Sequence, residues 1–173
     1  MNRGGIRIAR IAGIQITADW SVLVIGALLA YGMAEGAVPI SVPGTPAWLA
    51  WVVGVISATL LIASLTAHEL AHALLARQRG VAVEGIKLWL FGGVAQMGGD
   101  WLTARTEMLV AAIGPAVTGA LAALFIGASW LLVQAGAPPL VILVAEWLAA
   151  VNILLLVFNL IPAFPLDGGL TAY

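Results

Sequence analysis

Two histidines occur in the 173-residue chain, and they stand four positions apart with a glutamate between them, in His68-Glu69-Leu70-Ala71-His72. On an α-helix, residues four apart share a face, so both imidazoles can point at one ion while Glu69 leans beside them. This is the spacing of a helical zinc site, where two neutral imidazole nitrogens and an oxygen ligand hold the metal and a further position is kept for water. Glu69 is then placed to take that water's proton. A five-letter pattern with two free positions also recurs by chance, and many buried histidines are merely hydrogen-bonded core residues. The setting separates this occurrence from those: residues 36 to 67 carry no charge, and ionisable groups that interrupt an apolar span mark function.

Hydrophobic residues make up 62% of the chain and charged residues 9%, against about 25% charged in an ordinary soluble domain. The composition is that of an α-helical integral membrane protein, with the lipid bilayer as its solvent. Because there is no cysteine, disulfides and thiolate ligands are excluded, and any metal must be held by histidine and carboxylate. Seven basic side chains within a net charge of −1 provide no surface that could follow a phosphate backbone, which excludes nucleic acid as a partner.

The elements that position the motif can be read in order as one membrane-embedded domain over 1–173. Residues 1–19 alternate apolar and polar around Ala12-Gly13 and predict a β-hairpin at the membrane surface. An alternative takes Arg3, Arg7 and Arg10 as the basic leader of a signal peptide with its apolar core over 20–34; Tyr31 to Glu35 makes a poor cleavage site, so the expectation is a retained first transmembrane helix over 20–35. Three prolines and two glycines from Gly36 to Pro46 predict a loop. A second helix follows over 47–78, opened by Trp48 and Trp51 and closed by Arg77 and Arg79. At 1.5 Å per residue, His68 lies about 13 Å inside the interface marked by Arg77. Residues 81–98 read as a second β-hairpin. Its free edge would serve either to receive an extended peptide or as a structural cap over the motif. Two more spans, 108–134 and 140–161, are separated by Gly136-Ala137-Pro138-Pro139, which makes four transmembrane helices with a small membrane-associated β-sheet. Gly114-Pro115 and Gly119 in the third span are read as packing residues without chemistry. Four spans put Arg3, Arg7, Arg10, Arg77, Arg79, Lys87 and Arg105 on one side, which by the positive-inside rule is the cytoplasmic side and holds both termini.

A third metal ligand must be one of the remaining acidic residues. Asp19 and Glu35 bracket the first helix, Glu84, Asp100 and Glu107 lie in the connecting region, and Glu146 falls in the far half of the fourth span, beyond reach of the histidines. Asp167 remains. It follows Pro162 and Pro165 and precedes Gly168-Gly169, where the fourth helix must unwind at the end expected to hold the metal. A plain membrane-exit loop is the bland alternative for the same stretch.

Several segments together carry a resemblance: His68 to His72 in an apolar helix, Gly92-Gly93, Ala112-Ile113-Gly114-Pro115, and Phe158-Asn159-Leu160-Ile161-Pro162-Ala163-Phe164-Pro165-Leu166-Asp167-Gly168-Gly169. They are similar to the site-2 protease family of intramembrane zinc metalloproteases. The resemblance implies one Zn²⁺ held by His68, His72 and Asp167, Glu69 as general base, and Asn159 as a side-chain amide that helps stabilise the oxyanion. It implies as substrate a single-pass membrane protein, often already cut once by another protease, whose helix must unwind locally before hydrolysis. Homo-oligomer formation stays open. The chain departs from the family where Leu170 replaces the usual arginine after Asp-Gly-Gly and where the usual asparagine near the Gly-Pro of the third helix is absent, with Gly119 in that area. Family members continue into further helices or regulatory domains, so a catalytic core lacking these is the expectation. Six arginines to one lysine, with abundant alanine and glycine, fit a prokaryotic source. Two rivals are a catalytically idle zinc-holding adaptor, opposed by the intact Glu69, and a metal transporter, opposed by the scarcity of polar residues in the outer half of the bundle.

Overall fold

The computed structural model describes residues 5–90, 92–98 and 103–161. Four of its helical stretches are long and apolar enough to cross a membrane, and four short strands form one sheet beside them. The expected fold class is therefore found.

Strands β1 (Ile6–Ile11) and β2 (Ile14–Ala18) form the first hairpin. Its two-residue turn places Ala12 at φ 49° and Gly13 at φ 83°, the doubly positive turn whose twist matches that of paired strands. Helix α1 (Ser21–Tyr31) begins three residues after β2 ends. It continues through a π-helical segment, Gly32–Ala37, into the short helix α2 (Val38–Ser41). The loop expected from Gly36 therefore begins only after Ser41. Pro39 has no amide hydrogen to bond the Glu35 carbonyl, and the wider turn just before it accommodates that missing rung without ending the helix.

Helix α3 (Ala47–Gln78) carries the histidines, and β3 (Ala82–Trp89) and β4 (Gly92–Gly98) follow it. Helix α4 (Ala104–Gln134) starts four residues before the expected span because Thr103 caps it, its Oγ1 accepting from the Thr106 amide at 3.2 Å. Helix α5 (Pro139–Leu160) completes the bundle.

The two hairpins are joined by parallel pairing of β2 with β3, Ile16 opposite Ile86, to give the order β1-β2-β3-β4. One face of this sheet packs on α1 and α3 through a core of Ile14, Ile16, Ala18, Val22, Ala73, Ile86 and Leu88. Arg77 at the end of α3 donates from Nη1 to the Ala12 carbonyl at 2.6 Å, tying the first turn to the same end of the bundle. At the other end, Met33, Ala34 and Val38 pack on Ala50 and Val53. The helices approach closely where Gly54 meets the Ala30 backbone, a contact that any side chain at Gly54 would obstruct.

Candidate functional site

His68 and His72 fall on the same face of α3, both buried, and their Nε2 atoms face each other at 3.1 Å. Each ring is held from behind by α4. His72 Nδ1 lies 2.6 Å from the Val110 carbonyl, which can only accept, so that nitrogen is the donor and Nε2 points forward. His68 Nδ1 lies 2.8 Å from Thr118 Oγ1. This contact fixes the second ring, and with Nδ1 as the donor it leaves the second Nε2 lone pair aimed at the first.

Gly114 and Pro115 stand between these two anchors on α4. Pro115 removes the amide that would bond the Ala111 carbonyl, taking one rung from the helical ladder in the turn that faces the histidines. A Cβ on Gly114 would overlap His72 Nε2 and lie 2.7 Å from His68 Cε1. Gly114 thus allows the close packing expected of it, and the contact is with the histidines: its missing side chain leaves room beside His72 Nε2 and His68 Cε1.

These observations fit a metal. With Nδ1 as the donor on both rings, the two Nε2 lone pairs would converge on one point, where a cation would be held between them. At Zn–N distances of about 2.0–2.1 Å, two ligands at a tetrahedral angle sit about 3.3 Å apart, close to the observed 3.1 Å. His68 and His72 could supply two ligands to Zn²⁺. Among the described residues no group of three His, Asp or Glu side chains forms; Asp167 lies outside the described residues.

Glu69 is partly buried on the next position of α3, against the sheet. A Cβ on Gly93 of β4 would overlap the Glu69 side chain and lie 3.0 Å from its Oε1. The second glycine of Gly92-Gly93 therefore does more than turn a hairpin: it lets β4 lie directly on the acid beside the histidines. Asn159 lies partly buried in the last turn of α5. Glu146 is far along the same helix and accepts from Ser129 Oγ of α4 at 3.4 Å.

Thr118 was not among the candidates read from the sequence. Its signal was available, since it is the only polar side chain between Met108 and Ala128, four residues after Gly114.

A model of peptidase family M50 matches residues 56–138. Rip3 of Mycobacterium tuberculosis is 47% identical over 167 residues, which are 96% of this chain and 42% of Rip3. A zinc metalloprotease of Methanocaldococcus jannaschii is 37% identical over 111 residues, 64% of this chain and 31% of that protein. The chain thus spans less than half the length of these curated relatives. The solved site-2 protease from Methanocaldococcus jannaschii has the same fold, with a TM-score of 0.64 at 30% identity over 96% of this chain and 69% of that one. With likeness in both sequence and fold running through the histidine-bearing helix and the helix behind it, the chain belongs to peptidase family M50, the site-2 proteases.

Proposed function

We propose that this chain hydrolyses peptide bonds in or near the transmembrane segments of membrane-protein substrates. The observation that carries the reading is the pair of imidazoles, anchored from α4 with their Nε2 atoms 3.1 Å apart, and a glutamate on the adjacent position of a membrane-spanning helix.

In this reading His68, His72 and Asp167 hold one Zn²⁺. When bound there, zinc acts as a Lewis acid that brings water's pKa toward neutrality and polarises the scissile carbonyl. Glu69 accepts the proton as water's oxygen forms its bond to the carbonyl carbon. The Asn159 amide donates a hydrogen bond to the oxygen that gains negative charge. Glu69 then returns its proton to the leaving nitrogen as the C–N bond breaks. The outer edge of β4 is suited to receive the substrate as an added strand, because it ends the sheet and lies against Glu69. A peptide there is extended, as hydrolysis requires, with its main chain satisfied in a setting where water is scarce.

Arg77, at the sheet end of α3 and bonded to the first hairpin, and Arg105, at the start of α4, support a cytoplasmic placement of this end. The matches to bacterial and archaeal relatives support a prokaryotic source. Substrates cut beforehand by another protease fit a site that accepts only an unwound segment, and a homo-oligomer is compatible with the exposed helix faces.

The test is cleavage of a detergent-solubilised single-span substrate. Glu69→Gln is expected to lower turnover by a factor on the order of 10² to 10⁴ while zinc stays bound. Zinc retention with no cleavage by the unaltered chain would make it an adaptor, and zinc uptake into vesicles would make it a transporter.

A further inference from the structure

The two faces of β1 differ in a way that neither hydrolysis nor metal binding uses. In its ladder with β2, Ile6 lies opposite Ala18, Ala9 opposite Ile16, and Ile11 opposite Ile14. Opposed residues share a face of the sheet. Ile14, Ile16 and Ala18 are buried against the helices, so Ile6, Ala9 and Ile11 extend that apolar face beyond the helices' cover, with Ile6 58% and Ile11 43% exposed. Arg7 and Arg10, opposite Thr17 and Gln15, lie on the other face. A groove of about 300 Å³ lined by Arg7, Ile8, Ala9, Arg10 and Gln15 lies at the register shift between Arg7 and Ala9.

The position of the sheet brackets the depth at which such a strand can lie. β2 passes into the membrane-spanning α1 within three residues, and Trp20 and Trp89 are exposed at that junction beside Lys87. Tryptophan and lysine together mark the headgroup level. Strand β1 ends the sheet, and its outward amides and carbonyls would be unsatisfied in hydrocarbon. In bulk water, the same edge with three exposed isoleucines, Ile6, Ile8 and Ile11, would be an invitation to aggregate. The level between those extremes satisfies both: apolar side chains reach the acyl boundary while the polar edge meets headgroups and water.

We infer that β1 is an interfacial lipid-binding strand, with Ile6 and Ile11 resting on the acyl boundary and the Arg7 and Arg10 guanidinium groups holding the phosphates of anionic lipids. Arginine suits this role because its forked donors match phosphate oxygens. The inference rests on the membrane-spanning helices and is independent of proteolysis.

The chain has no cysteine, so single spin labels can be placed by substitution at positions 6, 7, 9, 10 and 11 of the full chain in nanodiscs. Labels at 6, 9 and 11 are expected to be accessible to oxygen and shielded from a water-soluble nickel complex, with labels at 7 and 10 showing the reverse. Replacing phosphatidylcholine with phosphatidylglycerol should deepen the labels at 6 and 11. Arg7→Gln or Arg10→Gln should each lower the ratio of docked to lifted hairpin about fivefold in the anionic lipid. Zinc content of each variant reports that the bundle is intact. Nickel access at all five positions would leave the strand in water, and protection from both reagents would mean that protein covers it; either overturns the inference. Equal docking in the two lipids overturns the pairing of the arginines with anionic phosphate.

Discussion

The hydroxyl of Thr118 is the smallest group on which the geometry of the histidine pair depends. It holds the His68 ring from behind at 2.8 Å, so its loss should act on metal binding before it acts on folding. Thr118→Val keeps the shape of the side chain and removes its hydrogen bond; zinc affinity measured by chelator competition is expected to fall about 10- to 100-fold, with Thr118→Ser close to the unaltered protein. Gly114→Ala should act differently. Its added methyl would occupy the space in front of His72 Nε2, and equilibrium dialysis is expected to show little or no bound zinc even in a folded protein. The sequence revealed His68, Glu69 and His72 because charged or metal-binding groups are rare in a span otherwise devoid of them. It concealed Thr118 because a hydroxyl in an apolar helix usually bonds its own backbone four residues earlier, as Ser57, Thr59, Ser64 and Thr66 all do on α3. Only the approach of α4 to α3 distinguishes the one hydroxyl that turns outward to a histidine.

Strands and helices meet most tightly where β2 passes into α1. The Asp19 carboxylate accepts from the Ser21 amide at 3.1 Å and faces Lys87 Nζ at 3.6 Å, while its own amide donates to the Leu88 carbonyl at 2.8 Å. The Ser21 hydrogen bonds, and after them the Lys87 charge, hold the Asp19 carboxyl below its ordinary value of 3.8. A depressed carboxyl stabilises the fold at every pH above its unfolded value, and that contribution disappears as pH falls through the lower, folded value. Thermal unfolding in detergent should therefore lose stability below pH about 3.8, and Asp19→Asn should remove that part of the acid dependence. Both hairpins were legible in the sequence from alternation and their glycine turns. Their union was not, because the parallel pairing of Ile16 with Ile86 joins segments too far apart to leave a local pattern. The passage of the first span to Ser41 was hidden for a different reason: proline and glycine at 36–46 read as a break, whereas a π-helical turn absorbs Pro39.

For the whole molecule, zinc should contribute to the stability of the bundle as well as to chemistry. His68 and His72 come from α3, their anchors come from α4, and the helix leading to Asp167 is α5. A ligand that binds only the folded arrangement stabilises it by mass action. Free zinc at about 100 times its dissociation constant is expected to add about 2.7 kcal/mol, read as a higher unfolding midpoint in detergent and reversed by a chelator. The His68→Ala protein should show a smaller shift.

The parallel pairing of β2 with β3 also imposes a sequence of events during synthesis. The Thr17 hydroxyl and the Ile86 carbonyl that it bonds are 69 residues apart, a gap the ribosome takes on the order of ten seconds to cross. Two apolar helices must enter the lipid in that interval before β3 can emerge to find its neighbour. Until it does, β4 has no scaffold from which to lie over Glu69, so the nascent chain carries its acid and both imidazoles for some time without the strand that is to cover them. On the proposed proteolytic reading, dormancy during biogenesis would then follow from the order in which the chain is made.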